Sequence, residues 1–300
     1  MSTKVYFTKE ITPEGLIRIY KALGVTLPGK IGVKISTGEK GGNNYLKPAL
    51  IGPLVQKLNA NILECNTAYR GKRNTVEEHL KVAKEHGFTD IATVDILDAD
   101  GEMALPVKVP DNITPILDVD YVGDHLKNYD SVVNLAHFKG HAMGGFGGIL
   151  KNQSIGFASR NGKAYIHGAG TTRDPDYVWS HLPAQLDFLK GMAEAAKAVQ
   201  DYFTDSDGTQ RILYIDVMNN LSVDCDCNSS PEDPCMADIG ILASTDPVAL
   251  DQACINLIWN SEDRGRDHFI KRVERQQGRE ILPYAEIIGL GSRDYEVVEI

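Results

Sequence analysis

At 300 residues, 42% of them hydrophobic, the chain can build a sizeable core: one large domain, or two closely packed lobes. Thirty-one basic against 41 acidic residues leave a net charge of −10, which argues against nucleic acid or an anionic membrane as partner but leaves room for a local basic pocket. No run approaches the roughly 18 apolar residues of a transmembrane helix. No apolar stretch near the start reads as a signal peptide, and five cysteines, three of them within eleven residues, favour free thiols or metal ligands in a reducing cytoplasm over disulfides.

In chain order, Lys4–Phe7 reads as a strand, and Pro13–Leu23 as a helix with its stripe at Leu16, Ile17, Tyr20 and Leu23. Lys30–Ile35 is a strand that runs into a polar glycine-rich loop at residues 36–44, with a helix over Lys47–Leu58. Asn61–Cys65 is the next strand. After its loop, Thr75 caps a helix that runs to about His86, with Glu77 and Glu78 in its first turn and Gly87 beyond its end. This rhythm predicts right-handed βαβ units, hence an α/β fold with a largely parallel sheet and helices on both faces. The expected division is a single domain over 1–300, with lobes of about 1–130 and 131–300.

Residues 93–118 break the rhythm: a DADGE turn between two alternating runs suggests a β-hairpin insertion. A short helix near Tyr121–Asn128 leads to the strand Ser131–Leu135, and Lys163–His167 reads as a strand. Tyr177–Phe203 is the longest helical stretch, Arg211–Val217 and Ile239–Ala243 are strands, and the polar loop between them carries the cysteines. Asp246–Trp259 is a helix with Pro247 at its first turn, and a terminal strand, Glu296–Ile300, closes the chain.

The stretch Val132–Gly156 concentrates chemistry. His137 and His141 flank Lys139, then come Gly144, Gly145, Gly147 and Gly148, then Lys151 and Asn152. Imidazoles carry protons or bind metals near neutral pH, lysine holds an anion, and glycine lets a ligand approach bare backbone. His141, Lys151 and His137 are therefore the candidate catalytic groups, and Gly144, Gly145 and Asn152 candidate substrate contacts. Lys40 in the glycine-rich loop, and Tyr69 and Arg70 in the loop after the next strand, would reach the same crevice from the carboxyl ends of adjacent strands. Cys225, Cys227 and Cys235 have spacing that suits a soft or borderline metal or an iron–sulfur cluster, about eighty residues downstream as a separate site, with one position left for His, Asp, water or Cys65, while His167 joins the histidine cluster as a metal ligand or acid/base group.

Asn134-Leu135-Ala136-His137-Phe138-Lys139-Gly140-His141, followed by Gly148-Ile149-Leu150-Lys151-Asn152, resembles the core motif of a family of uncharacterised iron–sulfur-centre proteins, domain-of-unknown-function family 362. Asp224-Cys225-Asp226-Cys227 and the segment Asp238–Ala253 fit the same family, so the resemblance covers nearly the whole chain. It implies a metal or iron–sulfur site on the cysteines, although the ferredoxin-like insertion of many members is not in this sequence. More distantly, Asn66–Arg70 with Thr75–Glu78, and then His141, Gly144-Gly145, Lys151 and His167, are similar to the pattern of nickel-pincer lactate racemases. That likeness implies an organic cofactor on Lys151, nickel on His167 and an acid/base role for His141, with Tyr69 standing where the racemase loop has a histidine.

The expectation is a cytoplasmic metal-binding enzyme acting on a small anionic molecule, with a metal ion or iron–sulfur cluster as cofactor and a redox partner if the cluster carries electrons. A non-enzymatic metal or cluster carrier and a racemase-like enzyme are the alternatives.

Overall fold

The computed structural model describes residues 2–300. The chain runs β1 (Thr3–Thr8), α1 (Pro13–Ala22), β2 (Ile31–Lys34), α2 (Pro48–Lys57), β3 (Asn61–Glu64), α3 (Val76–Glu85), β4 (Val94–Ile96), β5 (Glu102–Pro106), β6 (Val119–Gly123), β7 (Ser131–His137), β8 (Lys139–His141), β9 (Gly145–Gly147) and α4 (Ile149–Phe157). It continues through α5 (Arg160–His167), α6 (Gln185–Tyr202), β10 (Ile212–Met218), β11 (Gly240–Ser244), α7 (Pro247–Trp259), α8 (Arg266–Arg275), α9 (Ile281–Ile287) and β12 (Tyr295–Glu299).

Eight strands form one sheet in the order β12-β1-β11-β10-β7-β2-β3-β4. β11 is antiparallel to both of its neighbours, and the other five pairings are parallel. This is the mostly parallel α/β sheet that the βαβ rhythm predicts. Its faces follow from the two-residue period of a strand. On β7, Val133 and Leu135 point into the cluster built on α1, α2 and α3, while Val132 and Ala136 join the cluster of α4, α6 and α7. The central strands are buried on both faces, so they read as continuous apolar runs.

Helix starts follow local chemistry. Thr12 and Thr75 accept amide hydrogen bonds at the starts of α1 and α3, and Asp246 accepts two at the start of α7, behind Pro247.

Three local expectations change. The antiparallel hairpin exists, but it pairs β5 with β6; the run before the DADGE turn becomes β4 and joins the main sheet beside β3. Residues 163–167 end a helix, α5, whose Ser159 cap accepts the Gly162 amide, so the alternating KAYIH pattern is overridden by a capped start three residues earlier. The helical stretch from Tyr177 begins as a single turn at Val178–Ser180, and α6 proper starts only at Gln185.

Strands β2, β3, β7 and β10 are parallel neighbours, apart from order, so their carboxyl ends open on one side. The glycine loop, the loop 65–75, the β8–β9 hairpin and the cysteine loop all start there, where ligands bind in open parallel sheets.

Candidate metal centre and cavity

The cysteine loop between β10 and β11 is drawn back under the sheet end by buried charges. Asp226, with no side-chain exposure, accepts from His137 Nδ1 at 2.8 Å and pairs with Lys139 Nζ at 3.1 Å. His137 Nε2 donates to the Asn219 carbonyl at 2.6 Å, and Arg272 holds the Val223 carbonyl and the Asp224 carboxylate. Burial acts to raise the Asp226 carboxyl, but His137 and Lys139 outweigh it and hold the group below the usual range. His137 is thus a structural strut with both nitrogens used.

Close backbone contact completes the clamp. A Cβ on Gly140 would stand 2.2 Å from the Val223 carbonyl oxygen, and one on Gly42 2.9 Å from that of Asn228. The glycine-rich loop therefore packs its backbone on the cysteine loop, with the Glu39 amide donating to the Asp226 carbonyl at 2.7 Å. Its Gly41 and Gly42 serve that backbone contact.

This folding brings together what the sequence kept eighty residues apart. Ligand atoms of His141, Cys225 and Cys227 lie within 4.8 Å of one another. Lys151 Nζ sits 3.7 Å from Cys225 Sγ, and the Cys227 amide donates to the same sulfur at 3.5 Å. The Cys227 thiol as hydrogen-bond donor, then Lys151 and His141, hold the Cys225 thiol well below its ordinary value despite its burial. Two sulfurs and an imidazole are a donor set for a soft or borderline metal, with room for a fourth ligand. Cys235 stands apart, with its Sγ donating to the Leu221 carbonyl at 3.3 Å.

The cluster faces a cavity of about 200 Å³ lined by His141, Lys151, Cys227, His167, Asn152 and Tyr69 among the predicted residues, together with Lys34, Glu64, Arg73, Lys163, Met143 and Trp179. Lys40 and Arg70 do not line it. Each is exposed and paired at the surface, Lys40 with Glu85 at 3.0 Å and Arg70 with Asp176 at 3.2 Å. Neither glycine of the predicted pair lines it. The Gly144 amide donates to His141 Nδ1 at 2.8 Å, and Gly145, at φ +80°, lies against Gly278. Asn152 spends its amide on the Lys34 and Asn134 oxygens.

The cavity cations that sequence reasoning missed are Lys34 and Lys163, while Arg73, a candidate anion-binding guanidinium beside Arg70 in the loop after β3, does line the cavity. Lys34 and Arg73 both end on Glu64, at 2.9 and 3.1 Å. Burial works to raise the Glu64 carboxyl, but Lys34, His79 and Arg73 hold it well below the ordinary value. Lys34 alternates with Val33 in a strand otherwise apolar, and a lysine inside such a run was the available signal.

The two cavity histidines present opposite faces. His141 Nδ1 accepts from the Met143 and Gly144 amides, so its proton sits on Nε2. A metal-bound imidazole ordinarily donates its second N–H to an acceptor. Ligation by His141 therefore requires these two amides to leave Nδ1. His167 is the converse: Nδ1 donates to the Lys163 carbonyl at 2.7 Å, leaving the Nε2 lone pair. Burial between Phe188 and Trp179 pushes His167 down to about 3, so it is neutral at physiological pH.

No helix among the described residues is long and apolar enough to cross a membrane. The family described as Domain of unknown function (DUF362) matches residues 31–256. No curated protein matches the chain. Among solved structures, the lactate racemase apoprotein from Thermoanaerobacterium thermosaccharolyticum is similar at 14% identity and a TM-score of 0.41, over 72% of this chain. The chain spans about half, 51%, of that protein's length.

Proposed function

The chain belongs to the DUF362 family, whose description names no reaction, and we propose that it is a metal-dependent enzyme acting on a small anion. The observation that carries this reading is the placement of three soft donors, His141, Cys225 and Cys227, at the wall of a cavity that also holds lysine ammonium groups. Cys225 and Cys227 would hold the metal, with His141 as third ligand once its ring nitrogen is released from the two amides. A metal held there would supply a Lewis acid for an oxygen of the ligand. Lys151 and Lys163 orient the anion. His167, neutral, adds no charge to compete with them, while Met143 and Trp179 keep water out.

A single ion suits the site better than an iron–sulfur cluster. Clusters take four cysteine sulfurs as a rule, and only two are gathered here, with Cys235 turned to a backbone carbonyl.

Metal analysis of anaerobically purified protein tests this. We expect about one equivalent of a thiophilic metal in the wild type and in Cys235→Ser, and loss of it in Cys225→Ser. Retention of metal by Cys225→Ser, or loss in Cys235→Ser with release of sulfide, would overturn the assignment.

A further inference from the structure

We infer that the ligand of this cavity is a small monocarboxylate with an apolar or aromatic body, gripped by Lys163 together with Lys151, and is not a phosphate ester. This rests on the small-anion reading above and narrows it.

Four cationic side chains line the cavity, but two are already spent. Lys34 and Arg73 meet on Glu64, and Arg73 also donates to the Tyr69 hydroxyl at 3.1 Å, with Glu39 3.7 Å from its Nε. Lys163 is 93% buried, since its exposure is 7%, and its Nζ donates to the Ala158 carbonyl at 2.6 Å. An ammonium has three donors, so two remain. Lys151 meets only the Cys225 sulfur. Among the described residues neither lysine has a carboxylate within 4.0 Å. Burial pushes the Asp120 carboxyl, on which Lys163 acts in the opposite direction, up to about 8, and the two form no salt bridge. Lys163, hydrogen-bonded only to a backbone carbonyl, is the buried ammonium left to meet a carboxylate, with Lys151 beside it on the same wall.

The usual equipment for phosphate is occupied. Arg73 offers no free fork. The first amides of α4, from Ile149 and Leu150, both donate to the Asp251 carboxylate at 2.8 and 2.9 Å, which closes that helix terminus to an anion. The glycine-rich loop is pressed on the backbone of residues 228–229. The apolar part of the wall is Ala68, Met143, Ile155 and the Trp179 ring, which gives a carboxylate's hydrocarbon body a surface to lie on. A volume of about 200 Å³ is small beside a typical ligand pocket and suits a ring or a short chain.

Calorimetric titration of the full-length protein with benzoate, inorganic phosphate and glycerol phosphate tests the inference. Benzoate should bind, the two phosphates should give no heat at the same concentrations, and Lys163→Met should weaken benzoate about tenfold or more, as expected for loss of a charge-assisted hydrogen bond. The emission of Trp179, read in a Trp259→Phe background, should shift saturably with benzoate, which does not depend on how well Lys163→Met folds. The inference is overturned by a phosphate that binds as tightly as benzoate, by unchanged benzoate affinity in a folded Lys163→Met, or by silence from all three probes. Metal content of the same samples keeps the two ideas apart. Metal-free protein that still binds benzoate through Lys163 defeats the metal centre alone, and loaded protein that prefers phosphate defeats the carboxylate alone.

Discussion

Two sets of cations surround the carboxyl ends of β2 and β3, and they differ in what burial demands of them. The outer set, Lys40 and Arg70, sits on loop crests, with 51% and 87% of the side chain exposed, and finds partners at the surface. The inner set, Lys34 and Arg73, is at 1% and 4% exposure and converges on one carboxylate, Glu64. A surface charge can lose its partner to water at little cost, whereas a buried one cannot. The inner set is therefore the scaffold of the cavity wall. Lys163, buried and without a carboxylate, is the member whose charge is left for a ligand.

The largest effect expected from breaking this contrast is in Arg73→Ala. It takes from the buried Glu64 one of its two cations, leaving Lys34 with the Thr37 and His79 hydrogen bonds, and stability should fall by about 3–5 kcal/mol in urea denaturation. The pH dependence has a definite sign. Glu64 is held below its ordinary value when folded, so its contribution is present above the unfolded value near 4.3 and is lost as pH falls through the lower folded value. With one cation removed, the folded value rises toward the unfolded one. The acid-side loss of stability in Arg73→Ala should then begin at higher pH than in the wild type. Superimposable acid limbs would mean that Arg73 does not act through Glu64.

A smaller effect is expected for Asp226→Asn. The amide keeps the shape but strips Lys139 and His137 of their shared anion. We expect a loss of about 1–3 kcal/mol from the unpaired donors. Metal affinity should fall by about 10–100-fold, because Asp226 fixes the loop that carries both thiols and so acts on the centre from behind it. Competition against a chromophoric chelator reads the affinity separately from stability. A mutant that is destabilised with unchanged metal affinity would make Asp226 a fold residue only.

Much of this architecture is written locally. The caps at Thr12, Thr75 and Asp246, and the two-sided apolar strands, specify elements through contacts within a few residues. His141, Lys151, His167, Tyr69 and Asn152 were marked by residue type and line the cavity. The union of His141 with Cys225 and Cys227 was not legible, because it depends on β7 and β10 being parallel neighbours, a pairing between residues some eighty positions apart. Nor was the choice among cations. Loop position favours Lys40 and Arg70, yet the chain turns Arg73 inward because Glu64 and Tyr69 satisfy its guanidinium there. Glycine was ambiguous for the same reason: a missing Cβ admits a ligand or another backbone, and at Gly140 and Gly42 it is the backbone of the cysteine loop that enters.

The smallest expected effects test the contrast from its other side. Lys40→Ala and Arg70→Ala should leave metal content, benzoate affinity and the denaturation midpoint unchanged, since both pairs are exposed and screened at physiological salt. Arg70 is the more informative of the two. Its partner Asp176 lies three residues before Trp179, so this ion pair joins the loop after β3 to the segment that covers the cavity. If Arg70→Ala speeds benzoate entry and release in stopped-flow fluorescence while the equilibrium affinity holds, Arg70 is a latch on that segment and still no ligand contact. A weaker equilibrium affinity in Arg70→Ala, with Lys40→Ala unchanged, would show instead that the outer loop folds over the bound carboxylate, and the division into outer and inner cations would hold for Lys40 alone.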